Sequence, residues 1–172
     1  LGGEAWQETI LFNFVLVATG GKELFDAVYV RHDADTVRGP RFREAVAEFL
    51  RLKAYVDPGS VGRSWNDTTA LVINGKAGVQ VMGDWAKGEF KKAGLSAPRD
   101  FQCQIGIRPG GPLVFTGDLF VMIRTGGAEA SATQELLART MFSPDVQVAF
   151  NAVKGSIPVR TDADGSGFDG CA

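Results

Sequence analysis

The sequence predicts an α/β fold, and two observations predict it. Segments with a helical apolar period alternate with short apolar runs of strand type, and each is set off by glycine, proline or asparagine. The clearest instance lies between two of the three tryptophans, Trp65 and Trp85, where a helix, a turn and a strand are legible in 21 consecutive residues.

Glu4 to Ala18 carries Trp6, Ile10, Leu11, Phe14, Val15 and Val17 at helical spacing and closes at Gly20-Gly21, which predicts a largely buried helix. A short helix fits Lys22 to Tyr29, and Arg31 to Gly39 reads as a polar connection holding the single histidine, His32. Pro40 opens an amphipathic helix with Phe42, Val46, Phe49 and Leu50 inward, and Asp57-Pro58-Gly59-Ser60 turns the chain after it. Asn66 or Asp67 caps a helix reaching Ile73, Asn74-Gly75 reverses the chain, and Ala77 to Met82 reads as a strand ending at Gly83. The helix rises about 12 Å and the strand returns about 16 Å, so both indoles are expected near one rim.

Asp84 to Ala93 reads as a helix, and Phe101 to Ile107 as a strand followed by a loop from Arg108 to Pro112. Leu113 to Phe115 and Leu119 to Arg124 read as strands flanking Thr116-Gly117-Asp118. Ala130 to Phe142 is helical, Ser143-Pro144 starts a last helix to Lys154, Gly155 ends it, and Thr161 onward reads as a loop.

Composition narrows the chemistry. A chain of 172 residues with net charge −2 has no basic face for nucleic acid. No apolar run reaches the roughly 20 residues that span a bilayer. The start at Leu1, without methionine or leader, reads as a processed or truncated chain. One histidine in a polar segment supplies neither a metal site nor a Ser-His-Asp arrangement, and the glycines lack phosphate-loop spacing. Cys103 and Cys171 are compatible with one bridge or with two separate thiols.

Two indoles beside Asp84 would make a flat apolar platform edged by hydrogen-bonding groups, which suits the C–H faces and hydroxyl girdle of a pyranose. The same tryptophans would equally serve as core or lid aromatics. Asp84 and Asp118 could also form the paired carboxylates of a glycoside-processing enzyme, and a pure interaction domain without ligand is a third reading.

Four stretches together, Trp6-Gln7 with Leu11-Phe12, Trp65-Asn66, Gly83-Asp84-Trp85-Ala86-Lys87-Gly88-Glu89, and Lys154-Gly155-Ser156-Ile157-Pro158-Val159-Arg160, resemble the periplasmic glucose-binding components of bacterial ABC importers. The resemblance implies part of a two-lobed, type II clamshell of α/β lobes that binds a monosaccharide such as glucose, with no catalysis and no cofactor. It implies membrane subunits of an importer as partners. It assigns stacking on the sugar to Trp65 and Trp85, a hinge-proximal carboxylate to Asp118 and a ligand-contacting lysine to Lys154, and it implies a Cys103 to Cys171 bridge in a periplasmic protein. Because the family is roughly twice this long, the chain is expected to be an internal fragment. Residues 1–116 would belong to the C-terminal lobe, 117–154 would cross the hinge to the other lobe, and 155–172 would return. A fragment of this kind is expected to self-associate.

Overall fold

The computed structural model describes residues 1–107, 110–124 and 126–171, and among them every regular element is a helix, with no β-strand. Helix α1 runs Ala5–Tyr29, α2 Ala34–Arg38, α3 Pro40–Leu52, α4 Trp65–Ile73, α5 Ala86–Lys92, α6 Ala128–Met141 and α7 Pro144–Lys154, with a single 3-10 turn at Lys53–Tyr55. The α1 helix is two helices joined at a kink, because Gly21 at φ 66°, ψ −166° breaks it where the Gly20-Gly21 pair stands.

The main core forms where α1 crosses α3. Leu11, Val15, Leu16 and Leu24 of α1 meet Ala45 of α3, and Phe12, Phe42, Phe49 and Leu52 close around them. Phe12 lies edge-on to Phe42 at 5.9 Å and to Phe49 at 5.4 Å between ring centroids, the geometry in which a positive ring edge meets a negative face. Val81, four residues before Trp85, packs on the same cluster, so this core is the floor from which the segment leading to Trp85 is built.

Two helix starts differ from the sequence expectation for local electrostatic reasons. The polar stretch after His32 contains α2, because the Asp33 side chain accepts the backbone N–H groups of Asp35 and Thr36. The α4 helix starts one turn position earlier than Asn66. Ser64 is its cap and accepts the Asp67 N–H at 3.2 Å while its own hydroxyl donates to the Asp67 carboxylate at 2.8 Å. Trp65 is thereby the first helical residue of α4, and it is half-buried.

The four expected strands are corrected by the structure. Residues 77–82, 101–107, 113–115 and 119–124 take no regular structure where they are described, so the α/β reading does not hold for the folded chain as it stands. Apolar alternation only says that a segment suits a half-buried pleat, whereas a strand exists only when a neighbour accepts its ladder of hydrogen bonds. No such neighbour is present among the described residues, and Leu119, Val121 and Ile123 are 89, 81 and 73% exposed. The first residues of the expected 108–112 loop, Arg108 and Pro109, and the last residue, Ala172, lie outside the described residues.

The α6 helix buries none of its residues and packs on α7. The turn between them is held by the buried Gln147, whose amide donates to the Met141 carbonyl at 2.7 Å and whose oxygen accepts the Val159 N–H at 3.0 Å. One stability test isolates the α1–α3 core. Replacement of the fully buried Leu16 by alanine is expected to cost about 2 to 5 kcal/mol. The midpoint of chemical denaturation reads it, and an unchanged midpoint would place the stabilising core elsewhere.

Candidate functional site

The site is assembled where the start of α5 meets the end of α7. At their junction two glycines let the backbones touch. A methyl group on Gly155 would lie 2.8 Å from the Gly88 nitrogen and 3.0 Å from the Asp84 carbonyl, and one on Gly88 would lie 2.9 Å from the Lys154 carbonyl. Gly155 is also in the left-handed region at φ 95°, which ends α7 and turns the chain toward α5. The contact sets Lys154, the last residue of α7, beside the segment that carries Asp84 and Trp85.

Around this junction the polar groups are paired. The Ser156 hydroxyl, on a buried residue, donates to the Asp84 carboxylate at 2.9 Å. The Lys91 ammonium donates to the Ala152 carbonyl at 3.0 Å, one of the unpaired carbonyls in the last turn of α7. The Lys154 ammonium reaches the Asp118 carboxylate at 2.5 Å, with Asp118 well exposed. Two residues 36 positions apart are thus brought together as a donor cation and an acceptor anion.

The tryptophans are arranged differently from the spacing argument. Trp85 folds back over Gly83, where a methyl group would sit 2.1 Å from its ring. Its ring centroid lies 6.4 Å from that of Trp6 with the planes tilted by 48°. Among the described residues no aromatic contact joins Trp65 to Trp85. What ties their backbones is the Asn66 amide, donating to the Glu89 carboxylate at 2.9 Å, which links the first turn of α4 to that of α5. Trp65 and Trp85 are half-buried and Trp6 is exposed, so all three keep part of an indole toward solvent.

Trp6 is the residue that periodicity hides, because its place in an apolar stripe gives it the look of a core side chain. It is instead exposed, with Trp85 on one side and a carboxylate at its indole nitrogen. The Trp6 indole N–H donates to the Glu4 carboxylate at 3.1 Å, and the same oxygen accepts the amide of the fully buried Gln7 at 2.7 Å. Gln7 also donates to the Arg63 carbonyl, whose guanidinium forms a two-pronged pair with Asp57 at 2.6 Å on each arm. That hydrogen-bonded guanidinium holds the Asp57 carboxyl down at about 2.

Behind α5 the Lys87 side chain is buried, and its ammonium donates to Asp169 at 3.0 Å. Burial pushes the Asp169 carboxyl up, but the Lys87 hydrogen bond, the Cys171 N–H and the charges of Lys87 and Lys91 together hold it below the usual aspartate value. Asp169 reaches that place because the Cys171 sulfur is bonded to Cys103, across 68 residues of sequence. A bridge of that span stabilises by about 4 kcal/mol in the chain-entropy account.

Residues 3–168 match the family described as bacterial extracellular solute-binding protein. The chain belongs to that family. It is 40% identical over 171 residues to a probable sugar-binding periplasmic protein of Mesorhizobium japonicum, covering 99% of this chain and 41% of the relative. It is 39% identical over 170 residues to a protein of the same description from Brucella suis, covering 99% and 40%. An uncharacterized ABC transporter extracellular-binding protein of Pyrococcus horikoshii is 30% identical over 164 residues, covering 95% and 36%. The chain therefore spans about two-fifths of the length of these curated relatives. A solute-binding family captures its solute without transforming it, so the chain is not an enzyme, and the reading of Asp84 and Asp118 as a glycosidase pair falls away.

The seat of Trp85 is directly testable. In Gly83→Ala the added methyl occupies the space of the indole, so the ring must swing off the backbone while the main chain, free of any left-handed requirement there, stays in place. A red-shifted Trp85 emission with a nearly unchanged melting temperature is expected, and an unaltered spectrum would show that the ring is not seated on Gly83.

Proposed function

We propose that this chain forms one wall of a sugar-binding clamshell that captures a monosaccharide, glucose or a similar aldose, in the periplasm and presents it to the membrane subunits of an ABC importer. The observation that carries the reading is the convergence of the Lys154–Asp118 pair with the Trp85 segment through the Gly88 and Gly155 contact. It supplies a donor, an acceptor and a partly open indole within one junction. The names of the relatives favour a sugar over other solutes.

In this reading Trp65 and Trp85 offer their faces to the C–H faces of the pyranose, Asp118 accepts from a hydroxyl, and Lys154 donates to one. The ion pair between the last two holds them in place before the ligand arrives. Residues 1–116 belong to one lobe, 117–154 enter the other, and 155–172 return. The exposed apolar residues of 113–123 are then strands of α/β lobes whose partners lie in chain beyond this one, which accounts for their lack of neighbours here.

Titration calorimetry with glucose on the full-length protein tests the proposal. Wild type is expected to bind with a micromolar Kd, and Trp65→Ala and Trp85→Ala each to weaken binding severely at little cost in stability. Unaffected binding in both would refute the roles given to the indoles, and no glucose signal in wild type would refute the ligand. A micromolar site is worth about 8 kcal/mol, and a single wall supplying about half of that leaves a millimolar Kd. The 172-residue chain alone is therefore expected to bind glucose at millimolar strength or weaker, and to self-associate through its exposed 113–123 segment in light scattering. A monomer with micromolar affinity would overturn the one-wall assignment.

A further inference from the structure

Among the described residues Lys87 is the one charged residue that is buried, and the proposed ligand site does not use it. Only 3% of its side chain is exposed, and it stands two residues after Trp85 and one before Gly88, the residue on which α7 rests. A cation in that position is tolerated only with a close anion, because an uncompensated buried charge costs several kcal/mol. Its anion is Asp169, 82 residues away and on a tail segment with no helix of its own. Two contacts hold that carboxylate, the Lys87 ammonium at 3.0 Å and the Cys171 N–H at 3.0 Å, and Cys171 is itself tied down by the covalent bridge to Cys103.

We propose that Asp169 to Cys171 act as a strap that positions Trp85 and Lys154, working through Lys87, and that the bridge to Cys103 keeps the strap in place. With the strap seated, the Lys87 charge is neutralised and the start of α5 lies flat against Gly155. With the strap released, the ammonium must move toward water. The first turn of α5 turns with it, carrying Trp85 off Gly83 and opening the contact that sets Lys154 beside it. Lys87 and Asp169 are positioning residues, since neither is among the groups assigned to the sugar. The inference rests on the site reading above, and its test includes a signal that needs no sugar.

That signal is the 19F NMR line of Trp85 in full-length protein labelled with 5-fluorotryptophan, identified by its loss in Trp85→Phe. It is measured together with the glucose Kd. Asp169→Asn leaves the buried cation without a counter-charge and is expected to shift the Trp85 line and to raise the Kd about tenfold. Cys103→Ser/Cys171→Ser is expected to do the same, and Lys87→Met to abolish that effect, because a neutral side chain at 87 no longer follows the strap. This cycle decides the matter even if Asp169→Asn fails to fold. A lower melting temperature with an unmoved Trp85 line overturns the strap, as does an equal shift from the cysteine replacements with and without Lys87→Met. If wild type gives no glucose signal, the ligand assignment fails, and the 19F cycle still upholds or overturns the strap.

Discussion

The placing of Lys154 beside Asp84 and Trp85 depends on the contact of two backbones at Gly88 and Gly155. Helices normally keep 8 to 10 Å between axes because side chains intervene. Here the end of α7 and the start of α5 meet with no Cβ on either side, since one on either glycine would overlap the opposite main chain. The same Gly155 terminates α7 in a left-handed conformation, so one residue both stops the helix that presents Lys154 and admits the helix that follows Trp85. Ser156, the next residue, then reaches Asp84. Alanine at either glycine would push apart groups that are otherwise unconnected in sequence.

Around that contact the molecule is unevenly supported. The α1–α3 core is apolar and closed by edge-on phenylalanines, and it extends to Val81 just before the Trp85 segment. The α6–α7 pair has no comparable core, since α6 buries nothing, and the apolar side chains of 113–123 face solvent. A free-standing soluble domain seldom leaves so much contiguous apolar surface open. The curated relatives that the chain matches are more than twice its length, and the proposed function assigns the cover of this surface to the other lobe.

How much was legible before the structure follows from the range of each interaction. Helices are local objects, built from hydrogen bonds four residues apart, and caps and breakers such as Pro40, Ser143-Pro144, Gly155 and the Gly20-Gly21 pair stand beside what they control. The α1, α3, α5 and α7 helices were therefore readable to within a few residues. The small α2 helix and the true start of α4 turned on which oxygen captures an N–H, Asp33 in one case and Ser64 in the other, and both signals were present as an acceptor two or three residues before its donor. Trp6 was misleading because periodicity reports a face and not what covers it, and here the cover is Trp85 and the Glu4 carboxylate.

By itself the sequence determined most of the helices, with the breakers that end them, and the family resemblance that singled out Trp65, Trp85, Asp118 and Lys154, because these are carried by neighbouring residues or by short motifs. Tertiary structure alone decided that Lys154 pairs with Asp118, that Trp85 lies against Trp6 and Gly83, that a buried Lys87 draws in Asp169, and that the strand-type segments form no sheet. The physical reason is common to all four. Pairing of charges, ring contacts and ladder hydrogen bonds depend on which distant groups arrive at a place, and in a one-dimensional pattern a strand without its neighbour and a lysine without its carboxylate look the same as those that have them.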